Sequence, residues 1–182
     1  MKKQLLKIAE REELVELYSD TNDLRKFGVA KILKVSDAFV VVANITSTGM
    51  YDGYSLLYLD SIHQMNVNTK YIKKIKKLYM VKKQNHIEFV DGNEDLLLSF
   101  LDFAYENNFM VSVELFNSGY GDVQGFIKNL EDDIFVISMV SEVGGLDGES
   151  FIKSDAIHSI SCDGEEESDL MLVYSDTRKR EN

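Results

Sequence analysis

The chain has 182 residues, of which 45% are hydrophobic and 28% charged, a composition typical of a globular protein rather than a disordered one. Its net charge of −11 is unevenly distributed: residues 1–91 hold 15 Lys/Arg against 11 Asp/Glu, whereas residues 92–182 hold 5 against 20. The second half therefore repels phosphate backbones, and only the first half suits an anionic ligand.

The cysteine content and the N-terminal residues bear on the cellular compartment. Cys162 is the only cysteine, so an intramolecular disulfide is excluded and a reducing compartment is favoured. The first residues lead into no long apolar run, which predicts neither a signal peptide nor a membrane-spanning helix. We expect a soluble cytoplasmic protein that does not insert into membranes.

The first half begins with a helix and continues as strands. Apolar residues among lysines predict a short amphipathic helix over 2–10, and alternation of apolar and charged residues predicts a half-buried strand over 13–18. The polar segment 19–23 is a turn-forming cluster. Strands are predicted over 27–35 and 38–45, the latter covered on both faces because three valines follow one another without alternation.

Two short strands, 54–59 and 61–66, and a basic helix complete the first half. Apolar residues at helical spacing predict an amphipathic helix over 69–83. This helix carries seven lysines: Lys70, Lys73, Lys74, Lys76, Lys77, Lys82 and Lys83. Such a run is typical of a solvated face, and it is also compatible with binding RNA, DNA or an anionic membrane surface.

The second half repeats the order of a helix followed by strands. A helix is predicted over 94–107 and a strand over 110–116. Towards the end, 163–169 is predicted to be an acidic loop, 170–174 an apolar segment and 177–182 a frayed terminus.

A twelve-residue stretch occurs twice, which predicts an internal duplication. Residues 52–63 return as 147–158 with six of twelve positions identical. The Asp-Gly pairs in this stretch, Asp52-Gly53 and Asp147-Gly148, are predicted to make tight turns with glycine at positive φ. The alignment extends with offsets of 98, 97, 96 and 95 residues, and each change of offset is placed in a turn. The domains predicted in this way are 1–83 and 84–182.

Equivalent polar residues recur in the repeated stretch. Asp60 lies near His63 in the first copy, and Asp155 lies near His158 in the second. A histidine oriented by a carboxylate could act as a general base or a metal ligand, while the simpler interpretation is a polar strand face. Their role stays open, and the sequence predicts no cofactor, no metal and no catalytic residue.

The second copy carries apolar residues and glycines in a two-part pattern: Val111, Val113, Leu115, Gly119, Gly125, Ile127, Ile152 and Ile157. This pattern resembles the signature of Sm and Sm-like proteins, whose second part runs apolar-Arg-Gly-polar-any-apolar. The resemblance implies a mainly β fold of two tandem, closed, five-stranded Sm-like (SH3-like) barrels, each preceded by a helix and able to pair through edge strands.

The residues that would read RNA in this family are replaced. The alignment places Glu131 and Phe135 at the usual Asp and Asn positions, and Phe39 at the Asn position of the first copy. Tyr58-Leu59 and Lys153-Ser154 stand where Arg-Gly would be. Without Asn or Arg to hydrogen-bond base edges, the family's uridine pocket is not expected.

The sequence therefore predicts a non-enzymatic interaction and assembly protein, with its two barrels packed as an internal pseudo-dimer. Its partner would be another protein or a second copy of the chain. The alternative is an RNA-binding module that uses the lysine helix and the first barrel, although the acidic second half disfavours RNA.

Overall fold

The computed structural model describes residues 1–20, 23–116, 123–131 and 133–181. Three predictions touch residues outside these ranges: Thr21 and Asn22 in the predicted turn, Gly119 in the Sm-like pattern, and Asn182 at the predicted frayed end. The chain divides into two compact units, Met1–Phe100 and Leu101–Asn182. The predicted domains, 1–83 and 84–182, divide the chain earlier and stay a prediction.

The fold is mixed α/β and rich in antiparallel strands. The helices of the described residues are α1 (Lys2–Glu10), α2 (Lys70–Val81), α3 (Leu96–Glu106) and α4 (Glu165–Glu181). The strands of the first unit are β1 (Leu14–Tyr18), β2 (Gly28–Val35), β3 (Phe39–Ile45), β4 (Tyr51–Tyr58) and β5 (Gln64–Val67). Those of the second unit are β6 (Val111–Leu115), β7 (Val123–Glu131), β8 (Ile134–Val140), β9 (Leu146–Lys153) and β10 (Ile157–Cys162).

Each unit has the same strand order. In the first unit the antiparallel ladders run β5-β1-β2-β3-β4, and in the second they run β10-β6-β7-β8-β9. The expected closed barrels are not confirmed, because within the described ranges no ladder joins β4 to β5 or β9 to β10. A single 3-10 turn, Leu59–Ser61 or Ser154–Ala156, separates these consecutive strands, and β5 and β10 then pair with β1 and β6 instead.

The Asp-Gly pairs lie inside strands, so the predicted tight turns are wrong. Gly53 and Gly148 do have positive φ, 64° and 82°, as expected of glycine. They belong to β4 and β9, near the places where the registers with β3 and β8 shift. The glycines therefore serve a β-bulge, in which one extra residue is accommodated without ending the strand.

The first unit is packed on both faces of its sheet. One apolar cluster joins α1 to the sheet through Leu5, Ile8, Val15, Leu17, Ala30, Ile32, Val40, Val42, Leu59 and Ile62. A second cluster joins α2 to the opposite face through Leu14, Val29, Ile45, Ile72 and Ile75. The alternation in the first strand predicts half-burial, but β1 is buried at four of its five residues because both helices cover it.

The second unit also has a buried apolar core. Phe135, Ile137, Ile157 and Ile160 are at most 1% exposed. Met110, Val140 and Leu170 form a cluster beneath α4. The predicted acidic loop, apolar segment and frayed end are therefore wrong in conformation, because residues 165–181 form the single helix α4.

The two units correspond with fewer changes of offset than the sequence alignment used. Ala30 pairs with Val15 and Asn44, while Gly125 pairs with Val111 and Met139. Residues at equivalent ladder positions in the two units thus lie 96 residues apart in the first strand and 95 residues apart in the second and third strands. The offsets of 98 and 97 are wrong, and so is the offset of 96 that the alignment gave the third strand, because the residue pattern of a short strand fits more than one register whereas its hydrogen bonds fit one.

No helix of the described residues is long and apolar enough to cross a membrane.

Candidate interaction surfaces

The lysine helix predicted from the sequence is confirmed as α2, and its start is held by a buried network. The Thr69 hydroxyl accepts from the Ile72 amide as the N-cap at 3.1 Å. The same hydroxyl donates to Glu16 Oε1 at 2.5 Å, and Asn66 Nδ2 donates to Glu16 Oε2 at 2.8 Å. Because Glu16 belongs to β1 and is 4% exposed, this network attaches the first turn of α2 to the sheet.

Burial of Ile72 and Ile75 turns the lysines towards solvent. All seven predicted lysines are exposed. Lys74 lies 5.7 Å from the centroid of the Tyr71 ring, and Lys82 Nζ donates to the Thr48 carbonyl at 2.8 Å. None of the seven has a carboxylate of the described part of its own unit within 4 Å. This surface therefore concentrates uncompensated positive charge.

The end of α2 also presents apolar side chains, which the sequence analysis did not single out. Met80 is 67% exposed and Val81 is 71% exposed, and lysines stand on both sides of them in the sequence. The amphipathic pattern predicted a helix with its apolar residues buried. At the last turn the helix passes the edge of its apolar cluster, so these two residues remain in solvent.

A histidine beyond α2 anchors the following segment, and the sequence analysis missed it. His86 Nε2 lies 2.9 Å from the Asn44 carbonyl, which can only accept, so this nitrogen carries the proton. Nδ1 then accepts from the Tyr79 hydroxyl at 2.7 Å. Tyr51 and Tyr54 also pack on the imidazole, with centroids 4.4 and 5.3 Å away.

Burial sets the titration of this cluster. Desolvation lowers the pKa of His86 below its ordinary 6.5, the nearby Lys31 charge acts in the same direction, and backbone hydrogen bonds to Asn44 and Gly53 oppose it. Desolvation also raises the pKa of the Tyr79 hydroxyl above 10.0. The cluster is thus a neutral, hydrogen-bonded packing site in the folded protein.

The predicted Asp-His pairs are not brought together within the described residues. Asp60 and Asp155 are exposed in the 3-10 turns, and no hydrogen bond joins them to His63 or His158. His63 is exposed, with Nε2 3.4 Å from the Leu24 carbonyl.

His158 is held by a different carboxylate, which the sequence analysis did not consider. Its Nδ1 donates to Glu114 Oε2 at 3.1 Å, and Ser159 Oγ donates to the same oxygen at 3.0 Å. His158 Nε2 is buried without a hydrogen-bond partner in the described part of the chain. Serine and histidine both donate to one carboxylate and not to each other, so the arrangement does not activate the serine as a nucleophile.

The described residues favour neither a reactive cysteine nor a metal site. Burial, followed by the charges of Glu167 and Asp163, raises the pKa of the Cys162 thiol well above 9.0, which disfavours the reactive thiolate. Among the described side chains, no three His, Cys, Asp or Glu residues group as metal ligands.

Strand β9 is an exposed edge. Its only ladder among the described residues is with β8. Phe151 is 70% exposed and Leu146 is 56% exposed, while Ile152 faces the core. A strand with a free row of backbone groups and large exposed apolar side chains is a template for pairing with another strand.

No family model matches this chain, and neither the curated proteins nor the solved structures give a significant match.

Proposed function

We propose that this chain is a non-enzymatic interaction and assembly protein built from two Sm-like units that arose by duplication. The equal strand orders and the constant offset of the second and third strands support the duplication. Backbone details agree: Gly49 and Gly144, 95 residues apart, both have positive φ. Asn68 and Asp163, also 95 apart, share this conformation before α2 and α4.

The edge of β9 carries the functional part of the proposal. Each backbone group on its outer side can pair with a strand of a second chain, and the exposed side chains of Phe151 and Leu146 add apolar contact area. Pairing of β9 with β9 would close a two-fold dimer. Pairing of β9 with β5, which also has a single ladder among the described residues, would produce larger assemblies.

The test is the molar mass in solution as a function of concentration, measured by sedimentation velocity. We expect the native chain to associate and the double variant Phe151→Lys, Leu146→Lys to associate clearly more weakly, because lysine on an edge strand opposes pairing. Tyr105→Lys is the matched control, since Tyr105 is 62% exposed on α3 and should not change the mass. A native chain that is monomeric at all concentrations, or a double variant that associates like the native chain, contradicts the proposal.

RNA binding by α2 is the second candidate, favoured by its exposed lysines without carboxylate partners in their unit. The test is the affinity for a labelled single-stranded RNA across salt concentrations. Lys73→Glu with Lys77→Glu should weaken binding and reduce the salt slope by about 0.7 for each lost phosphate contact. Lys3→Glu with Lys7→Glu, exposed on α1, is the control. Absence of binding at low salt removes this candidate.

A further inference from the structure

The second unit contains a groove of about 610 Å³ with an apolar floor and an acidic rim. Strand residues Val123, Met139 and Val140 contribute apolar lining. The rim includes Glu142 from the β8–β9 turn, Asp147 from β9 and Glu166 from the first turn of α4. The three carboxylates thus come from separate elements and surround one cavity.

The wall of this groove is held in place before any partner binds. The Ser141 amide donates to the Gly145 carbonyl at 2.9 Å, which closes the β8–β9 turn. Gly144 in this turn lies so close to α4 that a Cβ atom would stand 2.7 Å from the Val173 carbonyl. Thr177 Oγ1 also donates to the Val143 carbonyl at 3.3 Å. A preformed groove costs less ordering entropy on binding than a flexible one.

The rim carboxylates are available to a cation. Glu142, Asp147 and Glu166 are exposed, and none has a Lys, Arg or His partner within 4 Å in the described part of the second unit. Among the described residues, the lining contains no basic side chain. Residues 101–182 hold 5 Lys/Arg against 18 Asp/Glu, so the surrounding field adds to the negative potential of the groove.

The end of α2 has the complementary chemistry. Met80 and Val81 are exposed between two lysine pairs, Lys76-Lys77 and Lys82-Lys83. Apolar side chains flanked by cations match an apolar floor flanked by carboxylates. An RNA strand would use the lysines but would leave Met80 and Val81 without a role, so the exposed apolar pair favours a protein surface.

We propose that this acidic groove binds the 76–83 segment of a second copy of the chain. Met80 and Val81 would cover the apolar floor, and the flanking lysines would face the rim carboxylates. The contact joins different surfaces of the two copies, so it is heterologous and can extend beyond a dimer. The rim residue Asp147 belongs to β9, but the contact uses neither Phe151 nor the outer backbone groups of that strand.

The test is a charge exchange in the Phe151→Lys background, which opposes pairing at the β9 edge and leaves Leu146, the neighbour of the rim residue Asp147, unchanged. The helix variant carries Lys76→Glu, Lys77→Glu and Lys83→Glu, and the groove variant carries Glu142→Lys, Asp147→Lys and Glu166→Lys. Either variant alone should associate roughly tenfold or more weakly than the background chain, because like charges then face each other. An equimolar mixture should form a one-to-one complex, since each variant keeps the surface that the other requires.

Controls separate this contact from general electrostatics. Glu106→Lys, Asp133→Lys and Asp155→Lys make the same charge change away from the groove and should leave association unchanged. Association of the background chain should weaken between about 0.1 M and about 1 M salt, over which the Debye length falls from roughly 10 to 3 Å. Circular dichroism of each variant verifies that it is folded.

Three results would overturn the proposal. The first is a background chain that is monomeric at low salt, and the second is a mixture of the two variants that forms no complex. The third is a groove that binds a foreign lysine-rich peptide in titration calorimetry while the chain does not bind its own copies.

Discussion

Helices α2 and α4 hold the same place in the order of elements of the two units, and they carry opposite charges. Each begins after a residue at positive φ and lies over a glycine: a Cβ on Gly49 would meet Leu78 of α2, and one on Gly144 would meet Val173 of α4. Yet α2 and the two residues just beyond its end expose seven lysines, whereas the first turn of α4 holds three glutamates.

The comparison of α2 with α4 shows at which positions the side chains of a helix can change while the helix keeps its place in the unit. Each helix packs so closely against its glycine that a larger residue would clash there, so both units keep glycine at this position. The outer face is limited only by solvation, so its charge can differ. The three glutamates of α4 also interact favourably with the positive end of the helix dipole. The first turn of α2 has no acidic residue and is stabilised by the Thr69 cap instead.

The largest effect should come from a phenylalanine of the second unit that is fully buried, compared with one of the first unit that is only half-buried. Phe135 is fully buried, and its counterpart in the ladders is the equally buried Val40. Phe39, the partner of Phe135 in the sequence alignment, lies one position earlier in β3 and is half-buried against Tyr58. Phe135→Ala should reduce the free energy of unfolding by about 3–5 kcal/mol, because it leaves a cavity. Phe39→Ala should cost about 1–2 kcal/mol, since part of this ring is already hydrated. Urea unfolding followed by circular dichroism measures both, and equal losses would contradict the difference in burial.

Substitution of the glycines that contact α2 and α4 should destabilise the two units by similar amounts, and by less than Phe135→Ala does. Gly49→Ala and Gly144→Ala place a Cβ atom 2.5 Å from Leu78 Cβ and 2.7 Å from the Val173 carbonyl, at φ of 74° and 78°. Each should destabilise its own unit by roughly 1–3 kcal/mol. Gly28→Ala and Gly145→Ala are the controls, since a Cβ there meets nothing closer than 3.7 Å. Hydrogen exchange read by mass spectrometry assigns the loss to a unit, and an effect in one unit alone would break the correspondence.

The start of α2 should depend on a cap that α4 does not use. Thr69→Ala should cost about 1 kcal/mol, because it removes the N-cap bond to the Ile72 amide. Thr69→Ser keeps both hydroxyl bonds and should be close to neutral. In α4 the corresponding bond differs, with the Gly164 amide donating to Glu167 Oε2 at 3.0 Å. Exchange of the amides in the first turn of α2 is the measurement, and an unchanged rate in Thr69→Ala would show that the cap is dispensable.

The smallest effect is a pH dependence confined to the first unit. His86 has a lowered pKa, so it stays neutral in the folded state at pH values where the unfolded chain binds a proton. Its contribution to stability is present above about pH 6.5 and is lost as the pH falls towards and through the folded pKa.

A single variant tests this assignment. His86→Phe keeps an aromatic ring among the tyrosines and removes the titrating group, so the decline in first-unit stability between about pH 7 and about pH 5 should become shallower. Hydrogen exchange at several pH values measures the opening free energy of the first unit. An unchanged slope in the variant would assign the dependence to other groups.

Several elements follow from local signals in the sequence. The helix predicted over 2–10 is confirmed residue for residue as α1, and the basic helix is confirmed with Ile72 and Ile75 buried. The valines of β3 are buried on both faces as expected. These signals consist of residue spacing within one element, so neighbouring residues are sufficient to reveal them.

The candidate surfaces could be predicted only in part. The lysines were identified as a group, but the exposure of Met80 and Val81 depends on where α2 leaves its apolar cluster. The charge run of the acidic segment predicts a solvated loop. Its third glutamate, Glu167, is instead buried and accepts from Ser161 Oγ and the Gly164 amide, which starts α4.

Residue spacing thus determines α1, α2 and α3 and the order of helix and strands that recurs, because periodicity acts over a few residues, whereas it does not reveal α4. Tertiary structure decides which strands pair, that the sheets stay open, and that Glu142, Asp147 and Glu166 surround one groove. The physical reason is distance along the chain: contacts between remote residues depend on ladder register and helix placement, which no local pattern specifies.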